Sequence, residues 1–286
     1  MQLRLPVSTL LPVLFGLFAI TALSWWYMFY LADAMTMSMA AMPMNQMDME
    51  SMSMEPMKSM ASMDSMAPMD MASAMSHSWT LSDFIANLTM WAVMMVAMMV
   101  PSASPTILFY ARLQKDKTGK IKPVPVALFL TGYLLAWTLF SLGASLLQWG
   151  LHEGALLSGA MAINQQWLIA LLLLLTGIYQ WTPLKQACLK HCQSPLGFLM
   201  GFWRDNPTGI IRMGWRHGLF CVGCCWMLML VLFTVGVMNL LWVGLIAGYV
   251  LLEKTIPAGK RLSQISSLVL FGAALIIGAR AALGLS

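Results

Sequence analysis

The chain has 286 residues, of which 59% are apolar and only 9% charged, with a mean hydropathy of +0.75. That balance excludes a soluble globular domain and points to an all-α, polytopic transmembrane helical bundle. Sixteen basic residues against eleven acidic ones give a net charge of +5, which needs no nucleic-acid partner once the positions of the basic residues along the chain are considered.

The first apolar run covers residues 10–31. Arg4 before it and Ala32-Asp33-Ala34 after it imitate a signal peptide with a cleavage site ahead of Met35. The run, however, exceeds the usual h-region of roughly 7 to 15 residues, and Trp25, Trp26 and Tyr27 resemble an interfacial belt, which predicts an uncleaved helix. Residues 1–32 therefore form an N-terminal transmembrane unit, 33–78 a flexible extracytoplasmic segment and 79–286 a helical core.

The segment 33–78 is dominated by methionine: sixteen of the chain's 29 methionines lie between Met35 and Met75. Met37, Met39, Met42, Met44, Met47, Met49, Met52, Met54, Met57, Met60, Met63, Met66 and Met69 recur every two or three residues among Ser, Ala, Pro, Asp and Glu. That register fits neither helical nor sustained strand periodicity, so the segment is read as disordered. What it offers is a row of uncharged thioethers, soft donors suited to Cu(I) and poorly suited to zinc, calcium or magnesium.

Six further apolar runs occur at 85–110, 124–149, 167–181, 217–235, 240–252 and 266–283, giving six or seven spans because 240–252 is short. Lys and Arg gather in alternate links. Arg112, Lys115, Lys117, Lys120 and Lys122 come after the second span, Lys185, Lys190, Arg204 and Arg212 after the fourth, and Lys254, Lys260 and Arg261 after the sixth. By the positive-inside rule these links face the cytoplasm and the Met-rich segment faces outward, which places the chain in a bacterial inner membrane.

Within the second run, Met90, Met94 and Met98 stand at i, i+4 and i+8, with Met95 and Met99 on the adjacent stripe, so Met94 and Met98 are candidate relay ligands. His77 with Asp83, and His152 with Glu153, border the outer segments and offer harder donors for Cu(II). All five cysteines fall in two groups. One is Cys188-Leu189-Lys190-His191-Cys192; the other begins at His217 and includes Cys221, Cys224 and Cys225. On a helix the second set stands at i, i+4, i+7 and i+8, on one face. Cys188-x3-Cys192 and Cys221-x2-Cys224 fall within ligand-like spacings, and convergent thiolates and imidazoles suit Cu(I) or Zn(II).

Ala97-Met98-Met99-Val100-Pro101-Ser102, Gly177-Ile178-Tyr179-Gln180-Trp181-Thr182-Pro183-Leu184-Lys185 and His217-Gly218-Leu219-Phe220-Cys221-Val222-Gly223-Cys224-Cys225-Trp226 closely resemble motifs of a bacterial family of predicted metal-binding integral membrane proteins. A member of that family encoded beside a bacterial tyrosinase is regarded as that enzyme's copper chaperone. The resemblance runs from about residue 78 to the C-terminus and implies that Cys188, His191, Cys192, His217, Cys221, Cys224 and Cys225 are the metal-motif positions. The combined reading is a non-enzymatic membrane copper chaperone that lies in the lipid bilayer, with homo-oligomerisation left open. It would collect Cu(I) and pass it to a copper-requiring client such as a tyrosinase. A copper transporter, and a thiol–disulfide oxidoreductase using Cys221 and Cys224, are the alternatives. Hydrolase, dehydrogenase and nucleotide-binding signatures do not occur.

Overall fold

The computed structural model describes residues 10–40, 80–115, 120–154, 163, 165–237 and 239–284. Its helices are α1 (Leu11–Ala40), α2 (Leu81–Leu113), α3 (Pro123–Glu153), α4 (Gln166–Trp181), α5 (Pro183–Gln193), α6 (Pro195–Phe202), α7 (Pro207–Leu230), α8 (Leu232–Val235), α9 (Leu240–Thr255) and α10 (Gly259–Ala282). Met35, Met37 and Met39 fall within α1, while the rest of the methionine tract lies outside the described residues.

Five stretches are long and apolar enough to cross a membrane: Leu11–Ala34, Leu81–Leu113, Pro123–Glu153, Pro207–Val235 and Gly259–Ala282. A sixth crossing arises if α4 and α5, bent by 63° at their junction, count as one broken span. The run at 240–252 becomes α9, whose 16 residues extend only about 24 Å at helical rise, short of a hydrocarbon core of roughly 30 Å.

Two X-Pro steps create the breaks. Thr182 before Pro183 is extended (φ −65°, ψ 143°), as steric conflict with a following proline ring requires, and its side chain then caps α5 by accepting from Lys185 N. Ile256 before Pro257 is likewise extended (φ −85°, ψ 134°) and ends α9. The open carbonyls at that end are met by Gln193 Nε2, which donates to Glu253 O at 2.8 Å and to Ile256 O at 3.3 Å. At both breaks side chains satisfy part of the backbone that the helix no longer pairs.

Helix α2 opens with a capping box between Thr80 and Asp83, a device contributing about 1 kcal/mol. Asp83 is thereby engaged with the backbone of its own helix end. In the interior, Pro101 and Pro105 each remove one helical N–H, and Ser104 Oγ donates to the released Pro101 carbonyl at 2.7 Å.

The tightest packing joins α3 to α7. Gly214 sits on the Phe129 backbone and Gly218 on Tyr133 and Ala136, so residue numbers rise together and the two helices run parallel. Gly214-x-x-x-Gly218 is a small-residue interface that lets backbones approach where apolar lipid gives no hydrophobic drive to association. A Cβ at Gly214 would lie 2.0 Å from Phe129 O, and one at Gly132 would lie 2.1 Å from Ile211 O. Gly214→Val should therefore destabilise the bundle by about 3 kcal/mol or more, since a backbone carbonyl cannot yield as a side chain can. Gly143→Ala, with nothing near its would-be Cβ, should leave the detergent melting curve unchanged. Melting of the two variants by size-exclusion chromatography checks both statements.

Candidate metal centre

The predicted face of α7 exists. His217, Cys221, Cys224 and Cys225 are all buried, and α5 folds back across α7 so that Cys188 and Cys192, also buried, meet them. Gly223 makes room for this crossing, since a Cβ there would stand 2.7 Å from Cys188 Sγ. Cys188 and Cys192 stand on the buried face of α5, which packs along α7, and lie with Cys221, Cys224 and Cys225 in one buried core. Cys224 Sγ and Cys225 Sγ donate to the Cys221 carbonyl at 3.1 and 3.0 Å. All five thiols are free. The two sequence groups thus form one cluster, located inside the bundle: Tyr133, which touches it, lies about three helical turns from the start of α3.

His191 does not join the cluster. Its ring stacks on Phe220 at 4.2 Å, with Nδ1 2.9 Å from Ala187 O. His217 is packed among Phe129, Tyr133 and Phe198. Its Nδ1 is buried without a hydrogen-bond partner, an omission that costs about 1 to 3 kcal/mol unless a ligand makes it good.

Cys221 Sγ is the most heavily contacted sulfur. Lys254 Nζ donates to it at 2.8 Å and to Ser102 Oγ at 3.1 Å. Tyr133 OH lies 3.0 Å from the same sulfur and donates to Met99 O at 3.0 Å. Behind Lys254, Lys185 and Glu253 form an ion pair at 2.7 Å with both side chains fully buried. Lys185 also donates to Gln180 Oε1, which accepts from Ser263 Oγ at 3.0 Å. Lys185 and Lys254, assigned from sequence to solvent-facing basic links, are therefore interior residues. Lys185 follows the Thr182–Pro183 break, which sets α5 against α7, whereas Lys254 is still in the last turn of α9, on the side that meets Ser102 of α2.

The methionine row of α2 is buried throughout: Met90, Met94, Met95, Met98 and Met99 are at most 3% exposed. At its end Ser102 Oγ approaches Met99 Sδ at 3.9 Å, so the row touches the thiol site through Ser102. Met28 of α1, fully buried in the same core, belongs to no motif that sequence spacing marks. The same holds for Glu253, Lys254 and Tyr133, whereas Ser102 and Lys185 close two of the family-like motifs without being marked as site residues; ionisable residues flanking apolar runs are functional candidates in a membrane protein.

Glu153 accepts from Trp149 Nε1 on its own helix, and His77 lies outside the described residues. Among the described residues, no three His, Cys, Asp or Glu side chains form a group ready to hold a metal ion.

A membrane-spanning helical bundle with a buried cluster of free thiols is the class this structure defines. Residues 88–277 match the family model of PpoB2, a copper chaperone, and the chain belongs to that family. No curated protein and no solved structure matches the chain. The matched region starts inside α2 and ends inside α10, so it contains all five cysteines and excludes the methionine tract.

The crossing of α5 over α7 has a direct consequence. A mild membrane-permeant oxidant should join Cys192 to a cysteine of α7, because Cys192 lies buried on the helix that packs along α7. Non-reducing peptide mapping by mass spectrometry should recover the α5–α7 pair, and Cys192→Ser should abolish it.

Proposed function

We propose that this copper chaperone captures Cu(I) on its Met-rich segment, passes it along the methionine row of α2 and holds it at the thiol cluster for delivery to a copper enzyme. The observation that carries the reading is the packing of α5, with Cys188 and Cys192, across the α7 face that holds Cys221, Cys224 and Cys225, at the end of a buried row of thioethers. Cuprous ion accepts two or three soft ligands and exchanges among them, so a thiol site with no ready group of three or more ligands among the described residues suits it better than it suits zinc, which needs four ligands or three and a water. His217, whose Nδ1 lacks a partner, is the nitrogen ligand within this set. The resemblance to the tyrosinase-associated subgroup makes a tyrosinase the preferred client. The distribution of basic residues supports an inner-membrane orientation with the Met-rich segment outward.

This division of labour predicts two classes of Cu(I) site in the purified full-length protein. Thioethers bind without losing a proton, whereas thiols must ionise, so only the tighter class should weaken as pH falls. Cys221→Ser, Cys224→Ser and Cys225→Ser together should remove the tight class and leave the weak one, read by competition with a Cu(I) chelator. Deleting residues 35–75 should do the reverse and lower client activity at limiting copper, with recovery when copper is added. Tight binding that survives the triple substitution would sink the site assignment.

A further inference from the structure

The wall of the thiol site contains a fixed cation whose role the proposed copper path does not explain. Lys254 is buried, and among the described residues its hydrogen-bond partners are Cys221 Sγ and Ser102 Oγ. The nearest candidate counter-ion in sequence, Glu253, is committed through Oε1 to Lys185 at 2.7 Å. An ammonium group taken out of water demands a matching anion, because its solvation cost is repaid only by good pairing. The group Lys254 addresses is a cysteine sulfur, which becomes an anion when it ionises.

Counting charges shows what this favours. Cu(I) held by two thiolates carries a net charge of −1, which Lys254 neutralises. A divalent ion on the same two thiolates is already neutral, and Lys254 beside it leaves an uncompensated positive charge in a low-dielectric interior. Lys254 cannot itself ligate metal while protonated, since an ammonium has no lone pair. We infer that Lys254 is the counter-cation of an anionic bis-thiolate Cu(I) complex formed by Cys221 and a second cysteine of the cluster, and that it biases the site toward monovalent soft ions over divalent ones. Ser102 and Tyr133 are positioning groups in this arrangement. Ser102 accepts from the ammonium, while Tyr133 touches the sulfur and anchors on the Met99 carbonyl. The inference rests on the proposal that the thiols hold the cargo.

The test uses the full-length protein in detergent, with Cu(I) affinity read by chelator competition and Zn(II) affinity measured in parallel. Lys254→Met should weaken the tight Cu(I) site by about tenfold or more while changing Zn(II) affinity by less than about threefold. Lys254→Arg, which keeps the charge, should stay within about threefold of the parent. Adding Ser102→Lys to Lys254→Met returns an ammonium from the opposite wall, on the residue whose Oγ contacted Nζ, and should recover Cu(I) binding. The copper–sulfur shell in X-ray absorption should be the same in parent and Lys254→Met, because only an outer charge is removed. Equal Cu(I) affinity in Lys254→Met and parent would overturn the inference, as would an equal loss in Lys254→Arg or a sulfur missing from the shell. If Lys254→Met does not fold, Lys254→Gln is compared with Lys254→Arg under the same thresholds. A parent protein with no tight thiol-dependent Cu(I) site would instead remove the reading under Proposed function, and this inference with it.

Discussion

The arrangement of this bundle depends on keeping three charged side chains, Lys185, Glu253 and Lys254, in an apolar interior. A buried ion pair such as Lys185–Glu253 is weak evidence for stability, because desolvating both partners costs as much as their attraction returns. Its value lies in position. Lys185 begins α5 and Glu253 ends α9, so the pair fixes two helix breaks against each other. Cys188 and Cys192 come after Lys185 on one face of α5, and Lys254 comes directly after Glu253. Removing either charge would strand the other and release both the thiols of α5 and the cation of α9.

The opposite side of the site is set by close backbone approach. Gly132, Gly214 and Gly218 let α3 and α7 pack with backbone in contact, which brings Tyr133 against Cys221 and His217. On a third side, Tyr179 OH of α4 donates to the Gly223 carbonyl of α7, securing the helix that precedes the proline break. Glycine at 223 serves twice, leaving space for Cys188 Sγ and presenting a carbonyl for Tyr179. The site is thus enclosed by elements whose separation is governed by hard contacts, with little freedom to relax.

Features carried by local periodicity were legible in the sequence. The long apolar runs, the buried methionines of α2 and the single face shared by His217, Cys221, Cys224 and Cys225 come from spacing alone. Charge counting treats a lysine after an apolar run as part of a solvent-facing link, whereas Lys185 lies on α5 packed against α7 and Lys254 is still within α9, facing Ser102 of α2. Their partners are remote: Ser102 and Lys254 are separated by 152 positions, and Cys221 and Lys254 by 33. No spacing rule reports such pairs. His191 shows the converse limit, since its nearness to Cys188 and Cys192 in sequence did not decide which way its ring would point. Stacking on Phe220 did.

On the proposed reading, the order of donors along the path has a physical logic. Thioethers are neutral, so a cation on the methionine row of α2 gains soft coordination without electrostatic trapping and can leave as easily as it arrived. At Met99 the row reaches Ser102, and across Ser102 stands Lys254 with its sulfur partner. A positive group at that point repels a bare cation coming along the row. The ion passes only when thiolates are present to enclose it and reverse the sign of its charge. Coordination and electrostatics therefore act together at a single threshold, between neutral sulfur on α2 and ionisable sulfur on α5 and α7. The buried lysine makes entry conditional on the ligand chemistry of the cargo as well as on its size.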